Sequence, residues 1–242
     1  MEAIKTVELT KRYGDITAVD GLNLSVEAGG LFSLLGVNGA GKTTTIKMLS
    51  GLTAPTAGKA FVSGVDISRE PGRAKSLLAV SPQETAVAPN LTVWENLLLM
   101  AGVHGLTGTV RKNRVEKIAE QLELKEIWKR RAGKLSGGWQ RRLSIAMALI
   151  SEPEILFLDE PTLGLDVLAR SELWDLIRSL KGRVTIILTT HYMEEAEALS
   201  DRIGIMKDGR LLCTGTAEEL KRRAGAEQFE EAFVRIVKGE AV

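Results

Sequence analysis

The stretch Leu31-Phe32-Ser33-Leu34-Leu35-Gly36-Val37-Asn38-Gly39-Ala40-Gly41-Lys42-Thr43-Thr44 decides the fold. Residues 31–35 form a short, mostly apolar run, which predicts a buried strand. Residues 36–44 follow directly and fit the spacing G-x-x-x-x-G-K-[ST], and a helical pattern opens at their end. Glycines let backbone N–H groups point inward, and a helix N-terminus adds its positive dipole end. This order of strand, loop and helix therefore predicts a loop that binds an anion.

The loop 36–44 is expected to hold the phosphates of a nucleotide. Lys42 would contact the β- and γ-phosphates as a point charge, and the Thr43 hydroxyl would bind Mg²⁺. A purely structural glycine turn is the alternative, but the strand before the loop and the helix after it favour phosphate binding. The candidate phosphate-contacting residues are Gly36, Asn38, Gly39, Ala40, Gly41, Lys42, Thr43 and Thr44.

Apolar patterning predicts an α/β fold around this loop. The runs 155–158, 184–188 and 203–206 are nearly continuous in apolar residues, as expected for strands of a mainly parallel sheet covered on both faces. Long helical patterns lie between them. The segment 4–26 alternates instead, which predicts antiparallel strands. The segment 92–150 has apolar residues at helical spacing, which predicts a helical subdomain inserted between the first and the later strands.

Two carboxylates end the run Ile155-Leu156-Phe157-Leu158. Asp159 would lie at the carboxyl edge of the parallel sheet, where such sheets bind ligands, and would hold Mg²⁺ there. Glu160, one residue later, would polarise a water molecule for attack on the γ-phosphate. A helix N-cap or a surface turn is the alternative for this pair. The preceding phosphate loop favours the catalytic interpretation.

His191 follows the apolar run 184–188 and two threonines. This position again places a polar side chain at the carboxyl edge of the sheet, within reach of a γ-phosphate. A hydrogen-bonded structural histidine is the alternative. Its place in the chain after the loop and the acidic pair favours a role in the site.

Composition excludes several classes of protein. The 242 residues include 32 Lys and Arg against 31 Asp and Glu, so the formal net charge is +1, which argues against nucleic acid as a partner. Cys213 is the only cysteine, so no internal disulfide can form. The longest apolar run, 97–103, is too short for a membrane span, and the first residues lack a signal-peptide pattern. We expect a cytoplasmic chain.

The segment 111–142 carries eleven Lys or Arg residues and only four Glu. A face directed toward anionic lipid or toward an acidic loop of a partner is one interpretation. The interpretation we favour is a solvated helix surface.

The segment Leu135-Ser136-Gly137-Gly138 lies upstream of Asp159 and before a helical pattern at 143–150. With the loop 36–44 and the acidic pair, this segment resembles the signature motif of the ATP-binding subunits of ABC transporters. The resemblance implies that the nucleotide is ATP. It also implies that Ser136, Gly137 and Gly138 contact the γ-phosphate bound by a second subunit, so that catalysis needs a dimer. A flexible Ser-Gly-Gly linker is the alternative.

The resemblance extends to three further positions. Tyr13 is similar to the aromatic residue that stacks on adenine. Gln83 is similar to the residue that links Mg²⁺ and the attacking water to the helical subdomain. Asp166 is similar to the residue that contacts the second subunit beside the catalytic carboxylate. The sequence departs from the family pattern at Trp139, directly after the signature, where a bulky indole would pack at the dimer interface or alter the facing site.

The resemblance covers about residues 4–220 and implies a P-loop NTPase fold in one ATP-binding domain. Residues 1–84 and 152–220 would form the nucleotide-binding core with an antiparallel β subdomain, residues 85–151 the helical subdomain, and residues 221–242 a short C-terminal helical extension, broken near Gly225. Residues 190–210 and the tail are most similar to exporters of the drug-resistance type.

The implied partners are a second ATP-binding subunit, expected to be identical, and an integral membrane permease that docks between Gln83 and Trp94. No nucleic acid partner is expected. The chain would then lie on the cytoplasmic face of the cell membrane, attached through its membrane partner. The alternative is a soluble ABC-type ATPase or a nucleotide switch that is not coupled to transport.

Overall fold

The structure is a computed structural model that describes residues 1–240, in which it places eleven strands and nine helices. The strands are β1 Glu2–Tyr13, β2 Ile16–Leu22, β3 Ser25–Glu27, β4 Leu31–Leu35, β5 Ala57–Val62, β6 Val65–Asp66, β7 Leu78–Ser81, β8 Ile155–Asp159, β9 Thr185–Thr190, β10 Arg202–Lys207 and β11 Arg210–Gly215. The helices are α1 Lys42–Leu49, α2 Pro71–Ser76, α3 Val93–Val103, α4 Gly108–Gln121, α5 Gly137–Leu149, α6 Val167–Leu180, α7 Met193–Leu199, α8 Ala217–Ala224 and α9 Phe229–Lys238.

The central sheet has six strands in the order β11-β10-β4-β9-β8-β7. Only the β10–β11 pair is antiparallel; the other four pairs are parallel. The predicted strands β4, β8, β9 and β10 are confirmed, whereas β7 and β11 were not foreseen. Because β4, β8 and β9 run in the same direction, the residues that follow them meet at one edge of the sheet.

Both faces of this sheet are covered, which explains the continuous apolar runs. In β8, Leu156 and Leu158 pack with the helices of the segment 93–149. Ile155 and Phe157 point to the other side, where they pack with α1 and the N-terminal strands. All five residues of β8 are buried. Each large apolar side chain buried in this way stabilises the fold by about 1.5–3 kcal/mol.

The N-terminal strands form a second, antiparallel sheet in the order β2-β1-β5-β6, with β3 also paired to β1. The alternating pattern of the segment 4–26 predicted this arrangement. Asn23 and Leu24 lie between β2 and β3, and these two strands pair separately with β1. Strands β5 and β6, which were not foreseen, extend the sheet.

The expected helical subdomain consists of α3, α4 and α5, joined by two short 3-10 turns at Lys125–Ile127 and Ala132–Lys134. Helix α5 begins at Gly137, six residues before the helical pattern predicted at 143–150. The signature glycines are therefore its first turn. Ser136 has the extended backbone of an N-cap residue, so a helix can begin directly after it.

The basic segment 111–142 is only partly a solvated surface, which corrects our expectation. The Arg111 guanidinium donates to the carbonyl of Leu98 at 2.6 and 2.9 Å. Arg114 donates to the carbonyl of Ile150 at 2.8 Å. These arginines satisfy backbone carbonyls inside the helical subdomain, a task suited to a planar group with five donors.

The C-terminal helices pack on the far end of the central sheet. Helix α8 ends at Gly225, whose φ of +61° is the left-handed conformation that favours glycine, so the predicted break there is confirmed. Thr216 and Glu219 form a capping box that starts α8 at Ala217. The expected boundary between residues 220 and 221 therefore falls inside α8. Residues 241–242 of the expected extension lie outside the described residues.

Residues 1–240 contain no helix with the length and apolar character needed to cross a membrane. Cys213, in β11, is buried, and burial raises the pKa of its thiol. The thiol therefore stays protonated and unreactive at neutral pH.

Candidate nucleotide site

The loop 36–44 connects β4 to α1, as the sequence predicted. Two of its glycines are required by close backbone approaches. A Cβ atom at Gly41, where φ is +99°, would lie 2.5 Å from the Ala18 carbonyl oxygen. A Cβ atom at Gly36 would lie 2.5 Å from the Met206 carbonyl oxygen. Side chains at these positions would force the loop away from the strand ends, so glycine allows the backbone to curve around a phosphate.

Lys42, the first residue of α1, is only 5% exposed. Its Nζ atom donates to the carbonyl of Gly36 at 2.7 Å and lies 3.2 Å from Glu160 Oε1. The ammonium group thus lies between the loop and the acidic pair. A phosphate group entering the loop would meet this cation and would compete with Glu160 for it.

Asp159 lies at the carboxyl end of β8, as predicted. Its Oδ1 atom accepts hydrogen bonds from the hydroxyls of Thr43, at 3.1 Å, and Thr189, at 2.5 Å. Within residues 1–240, no cluster of three or more His, Cys, Asp or Glu side chains could hold a metal ion. A hydroxyl beside a single carboxylate nevertheless fits Mg²⁺, which prefers oxygen ligands and takes the rest of its shell from water and phosphate.

Glu160 has a backbone conformation that is uncommon for a residue with a side chain, with φ at +47°. Its N–H donates to Thr189, contacting both the carbonyl oxygen and Oγ1 at 3.1 Å. Its Oε2 atom lies 2.8 Å from His191 Nδ1. The buried Glu160 carboxylate is therefore fixed between Lys42 on one side and His191 on the other. Left-handed backbone held by surrounding bonds is typical of functional sites.

Lys42, Thr43, Glu160 and His191 line a single cleft of about 560 Å³; Asp159 is not part of the lining but contacts Thr43. Tyr13 lies at its rim, with a half-exposed ring and the Lys11 ammonium 5.0 Å from the ring centroid. The cleft brings together five parts of the chain that the sequence singled out: Tyr13, the loop 36–44, Gln83, Glu160 and His191. Its lining is Tyr13, Ala18, Asn38, Gly39, Ala40, Gly41, Lys42, Thr43, Thr44, Gln83, Glu160, Leu163 and His191.

Ser136, Gly137 and Gly138 are outside this cleft. Ser136 and Gly138 line a separate, much smaller cavity with Trp139 and Arg142. The Arg142 guanidinium lies over the Trp139 ring, 4.8 Å from its centroid, so part of the indole packs within its own subunit. The signature glycines form the first turn of α5, whose backbone N–H groups have no partner within the helix. The chain therefore carries two separate surfaces suited to phosphate.

Asp166 is the N-cap of α6, and its Oδ1 atom accepts from the Ala169 N–H at 2.9 Å. This bond gives it a local structural role beside the intersubunit role that the resemblance implies. Val167 and Leu168 follow it and are 76% and 77% exposed. Apolar side chains this exposed at the start of a helix are typical of an interaction surface.

The sequence did not indicate the roles of Thr189 and Arg141. Arg141, on α5, is only 5% exposed. Its guanidinium donates to the carbonyls of Pro82, at 2.6 Å, and Gln83, at 2.5 Å. Burial lowers the pKa of Arg141, and the nearby Asp159 and Glu195 carboxyl groups partly offset this. Arg141 therefore joins the signature helix to the backbone that carries Gln83.

We expect Arg141→Ala to reduce stability by about 2–4 kcal/mol, because it leaves two carbonyls unpaired and removes a buried cation. It should also raise the KM for ATP, since the Gln83 backbone loses its anchor. Thermal unfolding and steady-state ATPase assays would measure both effects. Arg111→Ala is the matched control: it also frees a carbonyl, but far from the cleft, and should reduce stability alone. An unchanged KM in Arg141→Ala would contradict the assigned role.

Residues 19–163 match the family described as ABC transporter. The chain belongs to this family. The matched range includes, in this order, the loop 36–44, the signature segment and the pair Asp159 and Glu160. The chain is an ATP-binding domain of the ABC-type ATPases with the P-loop NTPase fold, which confirms the predicted fold class.

Relatives agree with this assignment. The chain is 42% identical over 97% of its length to the probable multidrug ABC transporter ATP-binding protein YbhF of Escherichia coli, and spans 41% of that protein. It is 43% identical over 91% of its length to the daunorubicin resistance ATP-binding protein DrrA3 of Streptomyces coeruleorubidus, and spans 70% of it. A dimeric ATP-binding cassette in a post-hydrolysis state with ADP and phosphate is 26% identical, with a TM-score of 0.78 over 88% of this chain and 98% of that one.

Proposed function

We propose that this chain binds ATP with Mg²⁺, hydrolyses it to ADP and phosphate, and thereby drives a separate membrane-embedded transporter subunit. One observation carries the proposal: Lys42, Thr43, Glu160 and His191 line one cleft with the glycine-rich loop, and Asp159 contacts Thr43 there. The relatives named for multidrug transport and daunorubicin resistance favour an exporter of drugs, lipids or other small molecules.

The side chains divide the chemistry between them. Thr43, Asp159 and Gln83 would hold Mg²⁺, which when bound neutralises charge on the phosphates. Lys42 would move from Glu160 to the β- and γ-phosphates as ATP enters. Glu160, released from Lys42, would accept a proton from the attacking water, and His191 would orient its carboxylate through the contact at 2.8 Å.

Two copies of the chain would form the working unit in a head-to-tail dimer. The signature segment lies outside the cleft of its own subunit, so it is free to contact a nucleotide held by the other. The exposed Val167 and Leu168, beside Asp166, supply apolar area for the same interface. The similarity to a dimeric cassette supports this arrangement. The site would be complete only when both copies contribute.

The permease would dock on the segment between Gln83 and Trp94. This segment is irregular but firmly held, because the buried Asn96 side chain binds Ala88 through both its oxygen and its nitrogen. Trp94 is braced by Trp128, with ring centroids 5.2 Å apart. Such a surface can transmit a displacement to Gln83. The chain would then lie on the cytoplasmic face of the membrane, attached through its partner.

Co-purification tests the coupling. The tagged chain is expressed with a membrane protein encoded beside it that has about six spanning segments, and the pair is isolated in detergent. We expect a stable complex whose ATPase rate responds to the transported compound. Ala86→Arg, at an exposed position in the docking segment, should abolish co-purification, whereas Ala28→Arg, exposed at the opposite edge of the sheet, should not. If the chain hydrolyses ATP at a rate that neither the membrane partner nor Ala86→Arg changes, this result would instead favour an ATPase that is not coupled to transport.

A further inference from the structure

Glu195 is a buried acid that the proposed mechanism does not use. It lies in the first turn of α7, four residues after His191, and its side chain is fully buried. The neighbouring Glu194 is exposed and lies 3.9 Å from Arg170. Two adjacent glutamates on one helix thus have opposite surroundings, and the buried one faces the catalytic edge of the sheet.

The contacts of Glu195 come from groups without charge. Its Oε1 atom accepts from the Trp174 indole N–H at 3.1 Å. Within residues 1–240, no Lys, Arg or His nitrogen lies within 4 Å of its carboxyl group, and Oε2 has no hydrogen-bond partner. The hydroxyl of Thr162, which lies beside the carboxyl group, is also buried without a partner. An ionised carboxylate would be costly in these surroundings.

The charged groups near Glu195 do not offset the cost of burying an ionised carboxylate. Burial is the largest influence and raises the pKa of Glu195, and the Glu160 carboxylate raises it further. The Trp174 indole N–H and the nearby hydroxyls of Thr190 and Thr162 lower this pKa by less. The buried Arg141 guanidinium is close enough to interact with the Glu195 charge, but its hydrogen bonds go to the carbonyls of Pro82 and Gln83.

The other cations around α7 are also engaged. Arg170, on α6, lies over the Tyr192 ring and near Glu194, and His191 contacts Glu160. Arg178 lies over the Trp174 ring, 5.9 Å from the centroid, and binds Asp175. None of them neutralises Glu195.

We propose that Glu195 carries its proton in the folded chain and acts as a positioning residue for Glu160 and His191, whose catalytic roles are themselves proposals. It lies beside three segments: the turn 160–162, the end of β9 at Thr190, and α6, whose Trp174 donates to it. The first segment contains Glu160, the proposed base, and the second leads directly to His191, which orients it. As a neutral acid, Glu195 packs between them and leaves Glu160 as the carboxylate that contacts Lys42 and His191.

A neutral glutamic acid has the same shape as glutamine, which gives the inference its test. Glu195→Gln retains an acceptor for the Trp174 N–H and a donor for the threonine hydroxyls. We expect it to keep kcat within about threefold of the original chain, whereas Glu195→Ala should lower kcat by about tenfold or more because a small displacement of Glu160 weakens catalysis strongly. The KM for ATP should change little in either variant, since Glu195 does not line the cleft.

Stability against pH provides a readout independent of activity. Because the folded chain binds this proton more tightly than the unfolded chain does, the unfolded chain loses it first as pH rises above the ordinary glutamate value of 4.5. Stability therefore falls with rising pH from there up to the raised pKa of Glu195. Glu195→Gln removes that loss, so its advantage in unfolding free energy over the original chain should grow between pH 5 and pH 8. Glu194→Gln, the exposed control, should show no such growth.

Two results would overturn the inference. A loss of hydrolysis in Glu195→Gln as large as in Glu160→Gln would mean that Glu195 acts as an anion or a base. Full activity in Glu195→Ala, with correct folding, would mean that it positions nothing. If Glu160→Gln itself hydrolyses ATP normally, the proposed role of Glu160 fails separately, and the pH dependence of unfolding still decides the protonation state of Glu195.

Discussion

Glu160→Gln is expected to lower the rate of ATP hydrolysis by about 10²–10⁴-fold, the usual contribution of a general base, while ATP still binds. An amide cannot accept a proton from water at neutral pH. It does keep the volume of the carboxylate and one acceptor oxygen, which can still contact Lys42 where Oε1 now lies at 3.2 Å. The variant should therefore bind ATP and remain in the ATP-bound dimer.

Single-turnover hydrolysis, nucleotide binding and size-exclusion chromatography with and without ATP would measure these effects. Glu154→Gln is the matched control, because Glu154 is exposed just before the same strand and, among residues 1–240, its side chain hydrogen-bonds only to Ser63. It should leave hydrolysis and dimerisation unchanged. Hydrolysis by Glu160→Gln at the original rate would rule out Glu160 as the base.

Much of this site can be predicted from the sequence because its residues lie at the ends of strands. Thr43 and Asp159 are 116 positions apart, yet their side chains meet at 3.1 Å. The reason is general: parallel strands present their carboxyl ends at one edge, so residues after β4, β8 and β9 converge there. Two apolar runs that end in polar residues therefore predict a meeting point without any knowledge of the loops between them.

The supporting residues could not be predicted in this way. Arg141 lies in a basic segment that resembles a solvated surface, and only the packing of α5 against β7 turns its guanidinium toward the Gln83 backbone. Glu195 lies among Glu194 and Glu197, and the sequence does not distinguish the buried member of this set. Which face of a short helix is buried depends on its neighbours, here α6 and α9, which pack from distant parts of the chain.

The backbone strain at Glu160 could not be predicted from the sequence either. Glu160 adopts φ of +47°, although nothing in the residue type favours the left-handed region. The conformation is imposed by Thr189, which receives the Glu160 N–H through both its carbonyl and its hydroxyl. A strained residue held by a neighbouring strand is a tertiary property, so it has no local sequence pattern.

Mixing two inactive variants should restore ATPase activity, and this result would establish the head-to-tail site. Lys42→Ala removes the cation of the phosphate loop and should abolish ATP binding in its own cleft. Gly137→Asp places a negative charge where the signature would meet a phosphate of the other copy. A Cβ at Gly137 meets only the Leu165 side chain, at 3.4 Å, so this variant is expected to fold. Each variant alone should be inactive, because both of its sites are damaged.

In a mixed dimer the two defects share one site and leave the other intact, because the normal loop of the Gly137→Asp copy faces the normal signature of the Lys42→Ala copy. Half of the dimers in an equal mixture are mixed, and half of their sites are complete, so activity should recover to about a quarter of the original rate. Lys47→Ala, exposed on α1, and Gly72→Asp, in open space on α2, are the matched controls and should keep full activity. If each site were instead formed by the cleft and the signature of one chain, both sites of a mixed dimer would be damaged, one at Lys42 and the other at Gly137. Mixing would then restore no ATPase activity.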